Sequence, residues 1–284
     1  MAVSCEHDEY GKIYQCRGRG ILRRDGQTPL VGDMVRITLQ DEEEAVVEEI
    51  LLRTNAFIRP PVSNVELFLV TVAAADPSPS WALTDRFLVT AEAARADAAI
   101  LVNKDDLAPA VADRFVSTYD GIYPVLRLSA KTGEGIDLLR DLVKARRCAF
   151  AGASGVGKTS LLARLTGESG HVTGDVSSKT GRGKHTTRHV EIHTLKDGTM
   201  LYDTPGFSSF EADRAADLTD ETPDMFFPEF AEYLGECKFD NCVHENEPDC
   251  AVRLAVEQGK IGRTRYKSYI ELLTALREAA RNKY

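Results

Sequence analysis

No apolar run in this chain is long enough to cross a bilayer: the longest mostly apolar stretch, residues 67–75, falls far short of the roughly 18 a membrane helix needs. The N-terminus has no basic segment followed by an apolar core, so no secretory signal is expected. Repeats and low-complexity tracts are missing too. With 43% apolar and 28% charged residues over 284 positions, the chain is neither disordered nor fibrous. At roughly 150 residues per domain there is room for about two average domains. Positive charge is scarce: a net charge of −9 argues against a generic nucleic-acid binder, whose domains are usually basic. The deficit is uneven. Residues 251–284 carry eight Lys or Arg against three Glu, and residues 172–196 carry five against two acids. The chain is expected to be cytoplasmic, monomeric and without a membrane partner.

Cysteine is sparse, and its placement matters more than its number. Cys5, Cys16 and Cys148 are scattered, whereas Cys237, Cys242 and Cys250 crowd into one window with His244. In a cytosolic chain such clustering favours a metal over disulfides. Cys237-x4-Cys242-x-His244-x5-Cys250 departs from the common C-x2-C finger, yet it supplies three thiolates and an imidazole. That set closes a tetrahedral zinc shell with no position for water, so the metal is expected to be structural.

The first sixty-odd residues hold no convincing helix. Short β-like runs at 13–17, 20–24, 33–39 and 45–51 are broken by Asp25-Gly26, Pro29, Gly32 and an acidic run, Asp41 to Glu44, that reads as a solvated hairpin tip. This predicts a small β-barrel or sandwich over residues 1–63, ending near Arg59-Pro60-Pro61. Strands at 65–72, 98–102, 123–128 and 148–151 then alternate with helical patterns at 80–96, 108–119, 136–145 and 158–166. Runs at 189–195 and 199–202 make a hairpin around Asp197-Gly198. Alternation of this kind predicts a mainly parallel sheet with helices on both faces, over residues 64–212. Residues 213–284 read as a mostly helical metal-binding domain.

Gly152-Ala153-Ser154-Gly155-Val156-Gly157-Lys158-Thr159 fits G-x-x-x-x-G-K-[ST] between a strand and a helix, with Ser160 next. Glycines let successive backbone N–H groups turn in on phosphate oxygens, and the helix N-terminus adds a favourable dipole. Lys158 is expected at the β- and γ-phosphates and Thr159 on Mg²⁺. Asp203-Thr204-Pro205-Gly206 follows a later strand. Asp203 would hold Mg²⁺, usually through water, and the Gly206 N–H would contact the γ-phosphate. Thr186 or Thr187 would complete the Mg²⁺ shell from a switch loop.

Asn103-Lys104-Asp105-Asp106 directly follows the strand at 98–102. In N-K-x-D, the Asp106 carboxylate can accept from guanine N1–H and the 2-amino group, donors that adenine lacks there, so GTP is expected over ATP. Asn103 would bond the guanine edge or brace the loop, and Lys104 would lay its stem over the base. Ser129-Ala130-Lys131 would bring a backbone N–H near the guanine oxygen. An ordinary GTPase runs phosphate loop, switches, N-K-x-D, S-A-K. Here Asn103 and Ser129 precede Gly152, so the domain is circularly permuted, and whatever follows Gly206 is tethered to the segment that responds to hydrolysis.

These residues resemble the bacterial ribosome small-subunit-dependent GTPase A family. The likeness extends to Val31-Gly32-Asp33, the junction from Arg59 to Val65, Gly181-Arg182-Gly183-Lys184-His185-Thr186-Thr187 as a first switch, and the Cys/His cluster. The resemblance implies an oligonucleotide/oligosaccharide-binding-fold barrel, a permuted GTPase domain and a C-terminal zinc domain. It implies binding to the small ribosomal subunit and its rRNA late in maturation, with hydrolysis stimulated by that subunit. Many GTPases orient the attacking water with a Gln after D-x-x-G; this chain has Phe207, so slow intrinsic turnover is expected. His185 is the nearby side chain able to position or deprotonate water, against a purely conformational role. A GTP-dependent RNA-binding switch with incidental hydrolysis, or a different RNA or protein target, stays open as the alternative. Specific RNA contacts are open too, with a basic helix at 263–284 and the barrel arginines Arg17, Arg19, Arg23 and Arg24 as candidates.

Overall fold

The computed structural model describes residues 2–6 (backbone only), 13–18, 28–57, 60–167, 190–203 and 223–281. Two compact units divide it, Met1–Val65 and Glu66–Tyr284. In the first, β1 (Ala2–Glu6), β2 (Ile13–Gly18), β3 (Val35–Leu39) and β4 (Glu44–Ile50) form one sheet in the order β1-β2-β4-β3. β2 and β4 run parallel, and the other pairs are antiparallel. Alternation buries Tyr14, Cys16, Ala45 and Val47 together while Ile13, Gln15 and Arg17 face out. The acidic run is the β3–β4 hairpin tip: Asp41 Oδ1 accepts the N–H groups of Glu43 and Glu44 at 2.9 and 2.7 Å.

A ladder of β5 (Ala56–Phe57) and β6 (Val62–Ser63) completes the unit. Asp33 clasps it. Its carboxylate accepts from Arg53 Nε and Nη2 at 2.7 and 2.8 Å, from Ser63 Oγ at 2.6 Å and from the Leu30 N–H at 2.8 Å. The sequence pattern misses β1, β5 and β6: two of them are two-residue bridges too short to show a period, and β1 precedes the first turn signal.

The second unit follows the expected alternation, strand by strand. It runs β7 (Leu67–Ala73), α1 (Trp81–Ala93), β8 (Asp97–Asn103), α2 (Pro109–Tyr119), β9 (Val125–Arg127), α3 (Ile136–Val143), β10 (Arg147–Ala151) and α4 (Lys158–Thr166). The hairpin β11 (Glu191–Thr194) and β12 (Met200–Asp203) comes next, then α5 (Ala251–Glu257) and α6 (Arg263–Arg281). The sheet order is β11-β12-β10-β7-β8-β9, parallel except for the edge strand β11. Every residue of β7 is buried, as expected of a central strand covered on both faces. One face packs Leu69, Leu101 and Phe150 against Leu139 of α3 and Leu161 and Leu165 of α4; α1 packs on β7 and β8. After β9 the chain crosses back past β7 to lay down β10. The reversal puts a crevice beside the carboxyl ends of β7 and β10, where α/β sheets bind ligands.

The C-terminal region is held by its own apolar cluster of Phe226, Phe227, Phe230, Val252, Tyr269, Leu272 and Leu273, which also takes in Val89 of α1. One residue departs from the sequence reading. Arg265, counted there among the local positive charges, is fully buried: it bonds Asp85 of α1 at 2.5 Å and Glu229 at 2.6 and 3.0 Å, with its guanidinium 4.6 Å from the Phe227 ring. The reason is tertiary. Two acids distant in sequence converge on the helix face that packs inward.

Candidate nucleotide site and metal centre

Gly152–Gly157 leaves the carboxyl end of β10 and enters α4 at Lys158. Two of its glycines cannot be replaced without displacing neighbours. Gly152 has φ +140° and a Cβ there would stand 2.1 Å from the Thr71 carbonyl oxygen; Gly157 has φ +100° and its Cβ would meet Asn103 Nδ2 at 2.1 Å. Lys158 Nζ donates to the Gly152 and Ala153 carbonyls at 2.6 and 2.8 Å. Burial pushes its pKa down to about 8, with nearby Asp203 pulling the other way. Ser154, Gly155 and Thr159 are exposed, Ser160 is half-buried and Val156 is buried. Asp203 ends β12, whose register beside β10 pairs Tyr202 with Ala149 and so brings the carboxylate alongside the phosphate loop's strand.

Asn103 joins three motifs that lie far apart in sequence. From the end of β8, its Nδ2 donates to the Val156 carbonyl at 2.9 Å and its Oδ1 accepts the Ala130 N–H at 3.0 Å. It is 2% exposed and braces the loops, one of the two roles expected of it. Lys104 takes a left-handed conformation, φ +60°, and donates to the Asp76 carbonyl. Asp105 is turned inward. Both its oxygens accept from Arg127 at 3.0 and 3.1 Å, so it holds the loop instead of facing a ligand, and the exposed Asp106 is the carboxylate the loop presents. Ser129 is fully buried and its Oγ accepts the Thr132 N–H at 3.1 Å. A small cleft of about 60 Å³ lies beside the phosphate loop, lined by Thr71, Pro77, Phe87, Gly152 and Val156. Asn103, Asp106 and Ser129 are not part of its wall, so it is distinct from the N-K-x-D and S-A-K loops.

Cys237, Cys242, His244 and Cys250 come together with all four ligand atoms within 4.8 Å of one another. Tetrahedral zinc, with bonds of about 2.3 Å to sulfur and 2.05 Å to nitrogen, requires S···S near 3.8 Å and S···N near 3.6 Å. The Cys237–Cys250 sulfurs are 3.9 Å apart, and His244 Nδ1 lies 3.5 and 3.4 Å from Cys237 and Cys250. The donor set therefore fits zinc, and the sulfur separation is far beyond a disulfide bond. His244 Nε2 meets Asp224 Oδ2 at 3.1 Å, which fixes the ring so that Nδ1 faces the thiolates. Tyr266 and Tyr269 of α6 donate to the His244 and Val243 carbonyls, both at 2.7 Å. Asp224 escaped the sequence reading; an acid thirteen positions ahead of the first cysteine carries no spacing signal.

Residues 50–213 match the RsgA GTPase family and residues 5–47 match the RsgA N-terminal domain. The chain belongs to the RsgA GTPase family. Among RsgA relatives, the protein of Agathobacter rectalis named small ribosomal subunit biogenesis GTPase RsgA is 43% identical over 280 residues, covering 96% of this chain and 90% of the relative. Its namesake from Geobacillus sp. (strain WCH70) is 42% identical over 273 residues, covering 94% and 92%. The crystal structure of YjeQ from Thermotoga maritima superposes with a TM-score of 0.82 at 32% identity over 97% of this chain and 94% of that one. That of YloQ, described as a circularly permuted GTPase, gives 0.77 at 37% identity over 98% and 91%. The RsgA fold thus accounts for the order of motifs along this chain. Of the sequence-derived RsgA site residues, His185, Thr186, Thr187 and Gly206 lie outside the described residues, as does Phe207.

Proposed function

We propose that this chain hydrolyses GTP to GDP and phosphate in biogenesis of the small ribosomal subunit, the role its curated relatives carry in their names. The observation that carries the GTPase reading is Asn103, which ties the N-K-x-D, S-A-K and phosphate loops into one site despite their permuted order. Asp106 reads the guanine edge, and residues 152–160 wrap the phosphates. Thr159 and Asp203 would hold Mg²⁺, which when bound neutralises charge on the phosphate oxygens. Lys158 carries positive charge to the same oxygens. The Gly206 N–H would contact the γ-phosphate, Thr186 or Thr187 would complete the Mg²⁺ shell, and His185 would position or deprotonate the attacking water. Cys237, Cys242, His244 and Cys250 would hold zinc, which when bound would help keep the C-terminal region folded. We also retain boundaries at 63/64 and 212/213, a monomeric state, and contact with rRNA of the small subunit. Phe207, in the place of a water-orienting Gln, supports dependence on a partner for turnover.

The test is GTP hydrolysis by the purified protein alone, with small ribosomal subunits, or with large ones. Stimulation by small subunits only is expected, and no stimulation alongside tight GTP binding would move the protein to the RNA-binding-switch reading. Subunit-stimulated turnover left intact by His185→Ala would remove His185 from the chemistry.

A further inference from the structure

We propose that Arg164 is a positioning residue for recognition of the guanine 6-oxo group, an inference that rests on the guanine-nucleotide reading of this site. Arg164 lies in the last turn of α4, the helix that begins at Lys158. Its side chain leaves the phosphate loop behind and reaches across to the S-A-K loop. Nε donates to the Ala130 carbonyl and Nη2 to the Lys131 carbonyl, both at 2.7 Å. The guanidinium's rigid fork suits two adjacent carbonyls in a way that a single ammonium cannot, and charge assistance shortens both bonds. Arg140 of α3 holds the base of the arrangement by donating to the Arg164 carbonyl at 2.8 Å. Gly133, at φ +92°, lies beside the guanidinium: a Cβ there would stand 3.9 Å from Nη1, in ordinary contact.

The consequence concerns one N–H. In loop 129–134 the N–H of Ser129 goes to the Glu134 carbonyl, that of Ala130 to Asn103 Oδ1 and that of Thr132 to Ser129 Oγ. Gly133 donates to the Ser129 carbonyl and Glu134 to Thr132 Oγ1. Among the described residues, the Lys131 N–H is the donor in this loop left for a ligand. It shares a planar trans peptide with the Ala130 carbonyl, so the two point in opposite directions. By holding that carbonyl toward α4, Arg164 aims the Lys131 N–H away from the helix, ready to meet an acceptor. The acceptor that fits is the 6-oxygen of guanine, since the neighbouring Asp106 supplies the complementary acceptor for N1–H and the 2-amino group. One helix therefore starts at the phosphates and ends by setting the base-reading loop.

The experiment compares binding of GDP and 6-thioguanosine diphosphate, which keeps N1–H and the 2-amino group but replaces the 6-oxygen with weakly accepting sulfur. Wild type should prefer GDP. Arg164→Ala should weaken GDP about tenfold and the thio analogue less than about twofold, so that the preference collapses. Arg164→Lys, able to reach one carbonyl, should fall between, and it carries the same ratio test where the alanine variant does not fold. Equal weakening of both ligands, or an unchanged preference, would overturn the role of Arg164. Wild type that binds no guanine nucleotide would instead overturn the GTPase reading itself.

Discussion

Lys158 shows how a single side chain is prepared for a charged ligand. With its ammonium against the Gly152 and Ala153 carbonyls, burial holds its pKa at about 8, and a bound phosphate demands the protonated form. The direction follows from linkage. A lowered lysine pKa means the free protein is partly deprotonated where the bound one is charged, so binding takes up a proton and weakens as pH rises through 8. At pH 8, GDP binding should absorb about half a proton, and affinity should fall about tenfold from pH 7 to 9. Calorimetry in two buffers of different ionisation enthalpy measures the uptake directly; zero uptake at pH 8 would contradict it. The same shift acts on folding with the opposite bias. Between 8 and the ordinary 10.5 the unfolded chain binds more protons, so this group's contribution to stability improves with rising pH.

At the scale of elements, the Cys/His cluster draws together short pieces of the C-terminal region. Cys250 caps α5, accepting the Arg253 N–H, and His244 sits in a left-handed turn, φ +58°, between the cysteine loop and α5. The 3-10 turn Pro223–Phe226 contributes Asp224, which orients the His244 ring. Removing that carboxylate leaves the four ligands in place but frees the imidazole to turn. Asp224→Ala should therefore lower zinc affinity about 10- to 100-fold, measured by competition with a chromogenic chelator. Full chelation should raise amide exchange across residues 223–281 while leaving β7 and β8 protected. Wild-type affinity in Asp224→Ala would remove the carboxylate from the metal's support.

For the whole molecule, the buried triad of Arg265, Asp85 and Glu229 decides how the second unit holds together. The permuted order tethers the C-terminal region through the chain after Gly206, but its packed anchor is α1, an element from the other end of the GTPase domain. Arg265 is fully buried and Asp85 2% exposed, with Asp85 also accepting from the Tyr119 hydroxyl at 2.6 Å. Taking away the cation strands two carboxylates among Phe227, Tyr119 and Tyr123, so Arg265→Ala should cost about 3–5 kcal/mol in urea unfolding. Replacing all three by apolar residues of similar volume should recover most of that loss, because the desolvation penalty disappears with the charges. A loss under about 1 kcal/mol for the single variant would be typical of an exposed pair and would refute the assignment.

The amino-acid order alone determined the α/β alternation, the permuted motif order, the identity of the phosphate loop and the four Cys and His side chains of the candidate metal site. These are local signals. A glycine at a left-handed turn, an apolar run of strand length and a cysteine spacing each act over a few residues, wherever the chain goes next. Tertiary structure decided the rest: that Asn103 braces and Asp105 faces Arg127, that Arg164 crosses to the S-A-K carbonyls, that Asp224 steers His244, and that Arg265 is core. Each of these is a polar side chain whose partner lies on another element. Which arginine is solvated and which is buried depends on the charges that packing brings opposite it, and no periodicity in the sequence encodes that.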